Sequence, residues 1–385
     1  MNLFYVLLFV LTLISCSESM APFDPIEFDL IEDVEMIDQV TVREMQQYWN
    51  NPLANGFINN DIDVYRLVYH SDDKRRLASG AILIPKTDNI KGIISLQHAT
   101  FFADEEAPSE NGDFSVVSRK SIFASHGYIV VLPDYYGYGV DKDNIHPYHY
   151  AETLTMASED MLAAAYEYLA STDLTYEAKL FLTGYSEGAY ATAALQRKIE
   201  STGRWNVTAS SLGAGAYNIL ETVSSFVDIE DLDDDCLPCN AFFLQAYNEQ
   251  YDLGQDMSYY FNEPYASLID DGLLLGTFSA LEVNRSFPDD PKDLYNSIFL
   301  EDYQQDDIEL KTALAENSIQ DWDILSPTII LHGQNDNVVP YFNSTQLYDQ
   351  NIENSLVLFR ELMAPDHFQG IFEWGLITMD YFDGF

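Results

Sequence analysis

The sequence predicts an α/β protein with a mostly parallel central sheet, helices on both of its faces and a mainly helical insertion late in the chain. Three observations carry this. Short apolar runs such as Tyr128-Ile129-Val130-Val131-Leu132 recur along the chain and read as strands buried on both faces of a parallel sheet. Stretches of helical periodicity separate them, as right-handed crossovers between parallel strands require. The alternation stops between Tyr217 and Asp323 and resumes at Thr328-Ile329-Ile330-Leu331.

The elements follow in order. Thr41 can cap a short helix running to Trp49. Ile62 to Tyr69 alternates in polarity and reads as a strand; Asp72-Asp73-Lys74 makes a turn, and Ala78 to Pro85 is its antiparallel partner. Gly92 to Gln97 is a strand, Ser115 to Ser125 a helix, Tyr128 to Leu132 a strand and Leu154 to Ser171 a helix. Lys179 to Thr183 is a strand that runs through Gly184-Tyr185-Ser186-Glu187-Gly188 into the helix-forming stretch Ala189 to Ile199. Val207 to Ala214, Thr328 to Leu331 and Leu356 to Leu358 complete the strands. The expected organisation is a leader at 1–15, an acidic tether at 16–40, a core in two parts at 41–216 and 324–385, and a helical cap insertion at 217–323.

The leader has a specific chemistry. Phe4 to Ile14 has the length of a signal-peptide apolar region and is too short to span a bilayer. It ends in Leu13-Ile14-Ser15-Cys16, which resembles the lipobox of bacterial lipoproteins, where the cysteine is acylated and becomes the mature N-terminus. That resemblance, with Ser17 after the cysteine, implies an outer-membrane lipoprotein of a Gram-negative bacterium, attached through Cys16. The remaining cysteines, Cys236 and Cys239, sit in an acidic loop with no second Cys or His pair at zinc spacing, so a local disulfide of an exported protein is expected. The Asp228–Asp235 run lacks the ligand spacing and glycine of an EF-hand loop and reads as solvated. No metal and no organic cofactor is expected. The net charge of −45 repels nucleic acid and anionic lipid headgroups, which leaves a neutral substrate as the easier fit.

The pentapeptide at 184–188 has the strand, sharp turn and helix context of a nucleophile elbow, with Ser186 at its tip. A serine hydroxyl needs a base, and the base an acid that orients it. Beyond Ser186 the chain holds two histidines. His332, at the end of a strand, shapes the turn there through a ring nitrogen bonded to backbone; His367, in a loop after the last strand, is the expected base. Asp336, in the turn after Leu331-His332-Gly333, is the expected acid; Asp366 is too close to His367 in sequence, and Asp323 precedes the strand. The amides of Glu187 and Thr100 are the expected oxyanion donors, with Ala99 as the alternative to Thr100 and His98 as a buttress of that loop.

Together Gln97-His98-Ala99-Thr100, Pro133-Asp134-Tyr135-Tyr136-Gly137-Tyr138-Gly139, His146-Pro147-Tyr148, Gly184-Tyr185-Ser186-Glu187-Gly188 and His332-Gly333 with Asp336 resemble the secretory-lipase branch of the α/β-hydrolases, over about residues 60–217 and 325–370. Relatives usually carry Gly where Ala99 stands; a positive φ there would strain Ala by roughly 1 kcal/mol. Glu187 stands where Gln or a small polar residue is common, and its carboxylate needs a partner, from a cap residue or Tyr190. The tyrosines at 135, 136 and 138 either line a substrate pocket or pack. The resemblance implies a serine esterase or lipase acting on a neutral ester, a lipid or an acylated glycan. A ligand-binding protein on a hydrolase scaffold and a serine peptidase are the alternatives, since fold alone does not fix chemistry.

Overall fold

The structure, a computed structural model, describes residues 29–110, 121–227, 236–305 and 308–385. Cys16 with the leader, the first part of the tether, the start of the helix expected at Ser115 and the Asp228–Asp235 run lie outside the described residues.

Nine strands form one sheet: β1 (Ile31–Val40), β2 (Ile62–Ser71), β3 (Arg76–Pro85), β4 (Ile93–Gln97), β5 (Ile129–Pro133), β6 (Leu180–Tyr185), β7 (Ala209–Gly213), β8 (Thr328–Gly333) and β9 (Val357–Leu362). Their order is β1-β2-β3-β5-β4-β6-β7-β8-β9. β1, β2, β3 and β5 pair antiparallel; β5, β4, β6, β7, β8 and β9 run parallel. This is the α/β-hydrolase fold, with the carboxyl ends of the parallel strands on one edge, where open α/β sheets bind their ligands.

Period-two alternation explains both faces. Ile129, Val131 and Leu182 point to one side, against Leu154, Met161, Leu162 and Leu195 of the helices Ala151–Ala170 and Glu187–Thr202. Val130, Leu132 and Phe181 point to the other, against Met45, Phe123, Trp374, Ile377 and Phe382 of the helices Val42–Trp49, Ile122–Ser125 and His367–Phe382. Thr41 begins the first of these helices with a reciprocal capping box to Glu44.

One expectation needs correction. The acidic segment 16–40 is not a tether throughout, because Ile31–Val40 forms β1, paired with β2 from Ile31↔Tyr69 to Val40↔Ile62. Its acidic side chains at Glu32, Asp33, Glu35 and Asp38 lie on an edge strand, where charge opposes pairing with a further chain.

Between β7 and β8 the insertion is helical, with segments that include Ile219–Val227, Leu237–Gln250, Ser297–Tyr303 and Glu309–Glu316. It rests on the loops that follow β4 and β5. Asp104 N–H donates to the Gly276 carbonyl at 2.8 Å, Tyr247 Oη–H donates to the His149 carbonyl at 3.0 Å, and Phe242 stacks on Tyr148 with centroids 4.8 Å apart. Cys236 and Cys239 are joined as a disulfide at the start of its helix Leu237–Gln250.

Candidate active site

Ser186 sits between the end of β6 and the helix Glu187–Thr202, with φ 58° and ψ −125°. A non-glycine residue in this region is strained, and the strain aims the hydroxyl away from both flanking elements. The Ser186 amide donates to the Gly213 carbonyl at 2.8 Å and fixes the turn to β7. Gly188 is obligatory for a steric reason, since a Cβ there would lie 2.1 Å from the Gln97 carbonyl oxygen. The same contact brings the loop after β4 hard against the elbow.

Asp336 and His367 meet after β8 and β9. His367 Nδ1 lies 2.7 Å from Asp336 Oδ2, and both side chains are almost fully buried. Asp336 Oδ1 accepts the amides of Val338 at 3.0 Å and Val339 at 2.8 Å. Burial alone would raise its pKa, but hydrogen bonds from His332 and His367 outweigh this and hold it well below the ordinary carboxylate value. Nδ1–H of His367 therefore donates to a carboxylate, which leaves Nε2 as the ring's basic nitrogen.

His367 reaches Ser186 through the neighbouring residue. Tyr185 Oη–H donates to the His367 carbonyl at 2.7 Å, and the two rings lie 5.0 Å apart. Among the described residues no hydrogen bond joins Ser186 Oγ to His367. His367 is not in a loop, as expected, but is the first residue of the C-terminal helix, because Asp366 caps that helix through the Gln369 amide at 2.8 Å. Asp366 is thereby committed to the cap, and Asp323 is exposed away from the cluster.

His332 does more than shape its turn. Its Nε2 lies 3.1 Å from the Val339 carbonyl and 3.2 Å from Asp336 Oδ2, and its Nδ1 lies 2.7 Å from Ser344 Oγ. Two acceptors at Nε2 place the proton there, so Asp336 receives a second imidazole N–H.

The loop Gln97–Phe101 is held from beneath. His98 is buried between the rings of Phe101 at 4.2 Å and Tyr135 at 4.0 Å, and its ring nitrogens face the carbonyls of Ala99 and Asp134. Burial pulls its pKa down to about 4. Tyr135 Oη–H donates to the His98 carbonyl and Tyr138 Oη–H to the Phe101 carbonyl, so both tyrosines brace this loop. Thr100 Oγ1 pairs with Tyr148 Oη at 2.9 Å. Ala99 is not among the residues with positive φ, so alanine carries no left-handed strain there. Among the described residues, neither the Thr100 nor the Glu187 amide donates to a protein acceptor.

Glu187 is fully buried, and its partner is neither a cap residue nor Tyr190. His146 Nε2 lies 2.7 Å from Glu187 Oε1, while the Tyr190 hydroxyl donates to the Asn317 carbonyl. Burial would raise the Glu187 pKa, but the attraction of His146 and its hydrogen bond outweigh this and lower it. The sequence gives a partial signal for His146, which stands in the His146-Pro147-Tyr148 motif, but nothing in the spacing pairs it with Glu187.

An apolar cavity of about 350 Å³ adjoins this region, lined in part by Trp49, Leu96, Ala99, Tyr185, Phe372 and Trp374. A larger one of about 630 Å³ lies between the helices Ala151–Ala170 and Glu187–Thr202; neither cavity is lined by Ser186, Asp336 or His367, and the smaller one reaches the site through Tyr185 and Ala99.

The family described as secretory lipase matches residues 117–374 of the chain. No curated protein matches it. Among solved structures, the chain is similar to a candidate hydrolase of Legionella pneumophila at 24% identity and TM-score 0.84, covering 92% of this chain and 98% of that one. It is similar to the rice cell wall degrading esterase LipA of Xanthomonas oryzae at 20% identity and TM-score 0.79, covering 91% and 97%. Candida antarctica lipase A superimposes at 18% identity and TM-score 0.59, covering 86% and 77%. At these identities the likenesses bear on the fold.

Proposed function

The chain belongs to the secretory lipase family, and on that premise we propose that it is a serine hydrolase cleaving neutral carboxylic esters through Ser186, His367 and Asp336. The observation that carries the reading is the 2.7 Å contact of His367 Nδ1 with an ionised Asp336, beside a serine held at the strained tip of an elbow. Ser186 Oγ attacks the ester carbonyl carbon while its proton passes to His367 Nε2. The carbonyl oxygen becomes an oxyanion held by the amides of Thr100 and Glu187. The C–O bond to the alcohol breaks, and the leaving oxygen takes the proton from His367. Water repeats the sequence on the acyl-enzyme and releases the acid.

The cavity lined by Leu96, Tyr185, Phe372 and Trp374 offers an apolar wall of the kind an acyl chain fills. Export and attachment through an acylated Cys16 complete the proposal; the Leu-Ile-Ser-Cys ending of the apolar leader motivates it. Failure of Cys16 to incorporate palmitate in the expressing bacterium would remove the anchor.

Ser186→Ala lowers kcat on an aryl ester by about 10⁴-fold or more. A fall of less than tenfold assigns the chemistry elsewhere. A fluorophosphonate that fails to label the folded protein favours a ligand-binding scaffold. Faster cleavage of a matched amide than of the ester favours a peptidase. An acyl-chain-length series, with and without emulsion, separates lipid from short-chain glycan esters.

A further inference from the structure

Glu187 gives the site its backbone amide, and its side chain enters one of the best-enclosed ionic contacts in the molecule. His146 and Glu187 are 3% and 1% exposed. His146 Nδ1 lies 2.7 Å from the Tyr136 carbonyl oxygen, which can only accept, so Nδ1 carries a proton. Nε2 faces Glu187 Oε1 at 2.7 Å. One further proton lies between these two atoms. As imidazolium and carboxylate, or as imidazole and carboxylic acid, the pair is neutral overall and always bridged.

The bridge ties the helix that leaves the elbow to the loop after β5. One end is the first residue of the helix that leaves the elbow. The other is anchored to the loop after β5, where the backbone of His146 packs so closely on Gly137 that a Cβ there would lie 2.4 Å from His146 Cα. The His146 ring also packs on Phe242 of the insertion, with centroids 5.7 Å apart. The carboxylate sits in the helix's first turn, where it favours the exposed N–H groups electrostatically.

We infer that the His146–Glu187 bridge is a positioning device for the oxyanion amide: it locks the orientation of the peptide between Ser186 and Glu187 by tying the Glu187 side chain to the loop after β5. This rests on the ester-hydrolase reading above. The bridge touches no reacting atom. It sets the direction in which the Glu187 N–H points, which matters in the tetrahedral state and little in the bound ester.

The test separates positioning from mere core stability. His146→Phe removes the anchor and leaves Glu187 buried without a partner. The double variant His146→Phe, Glu187→Leu replaces the pair by apolar groups, an exchange that commonly restores or raises stability. Each is compared with the wild type in melting temperature, kcat, KM and affinity for an alkyl boronic acid, whose tetrahedral adduct with Ser186 presents an oxygen to the amides. The expected result is a kcat fall of about 10- to 100-fold in both variants, below the effect of deleting a donor. KM stays within about threefold and boronate affinity falls in parallel with kcat. In the double variant the melting temperature returns and kcat does not. The inference is overturned by wild-type kcat in folded His146→Phe, by kcat restored with stability in the double variant, or by a change confined to KM. If His146→Phe fails to fold, the double variant alone decides. Fluorophosphonate labelling of wild-type Ser186 keeps the outcomes apart, because its absence sinks the hydrolase reading itself.

Discussion

The two halves of the site are held by different means. Around Ser186 the constraint is backbone: a positive φ, an amide bonded to Gly213 and a glycine that lets the Gln97 carbonyl approach. Around Asp336 and His367 it is side-chain hydrogen bonding, with two backbone amides on one carboxylate oxygen and two imidazoles on the other. In the proposed mechanism the nucleophile must stay where attack requires it, and backbone geometry holds Ser186 itself there. In the same mechanism the base changes its proton state on each cycle, and the polar network around it stabilises both states. The first half should therefore respond to size and the second to hydrogen-bonding capacity.

The largest effect expected of this comparison is in the second half. Asp336→Asn keeps shape and volume but puts an amide N–H₂ or a single oxygen before His367 Nδ1 and His332 Nε2. The ring then loses its preference for the tautomer with a free Nε2, and kcat falls by about 10⁴-fold; the melting temperature falls as well, because the stabilisation of the ionised carboxylate goes with it. An isosteric change that leaves kcat within tenfold would mean that Asp336 does not orient the base.

Gly188→Ala is the matching experiment in the first half, where one methyl is added and no hydrogen bond is deleted. The new Cβ meets the Gln97 carbonyl oxygen at 2.1 Å, so either the loop or the helix must shift. The variant loses about 2–3 kcal/mol of stability, as overpacked sites do. Its kcat falls by about 100-fold, because the same shift moves the Thr100 and Glu187 amides. A normal kcat in Gly188→Ala would show that the contact between loop and elbow is not what sets the oxyanion geometry. Chemical denaturation and steady-state kinetics on the one variant read both effects.

The same division marks what could be read from the chain. Ser186 was legible because the apolar run before it and the helix former after it are local signals. The pairing of Asp336 with His367 was legible from chain order and from the scarcity of histidines beyond Ser186, and their catalytic roles are part of the proposal. Strand β1 was not, since its acidic residues resemble a solvated segment until the edge of the sheet is known. The helical start at His367 was open to reading, because Asp366 and Gln369 carry the spacing of a capping pair. The second imidazole on Asp336 and the partner of Glu187 were closed to it. Contacts across 4 and 41 residues depend on where loops lie over the sheet edge, and neither has a pattern in the sequence.

Acid offers the mildest way to sharpen the comparison, because it reaches His149, beside the elbow helix, and Asp336 at different pH. Burial pulls the pKa of His149 from 6.5 to about 4. Between those values the unfolded chain binds a proton that the folded one refuses, so stability falls as pH drops from about 6.5 toward about 4, by about 3 kcal/mol. Asp336 behaves oppositely in window: its folded pKa lies below 3.8, so its contribution is intact above that value and is lost only as pH falls further. Acid thus loosens the packing beside the elbow helix before it protonates Asp336. His149 has φ 50°, beside Tyr190 on the elbow helix and Phe243 of the insertion, and asparagine accepts that backbone region without titrating. In His149→Asn the melting temperature at pH 7 falls modestly through lost ring packing, while the further loss between pH 6.5 and 4 is smaller than in the wild type by up to about 3 kcal/mol. Melting curves for the two proteins that run parallel across this range would show that His149 takes up its proton alike in the folded and the unfolded chain, and that its burial adds no acid sensitivity beside the elbow.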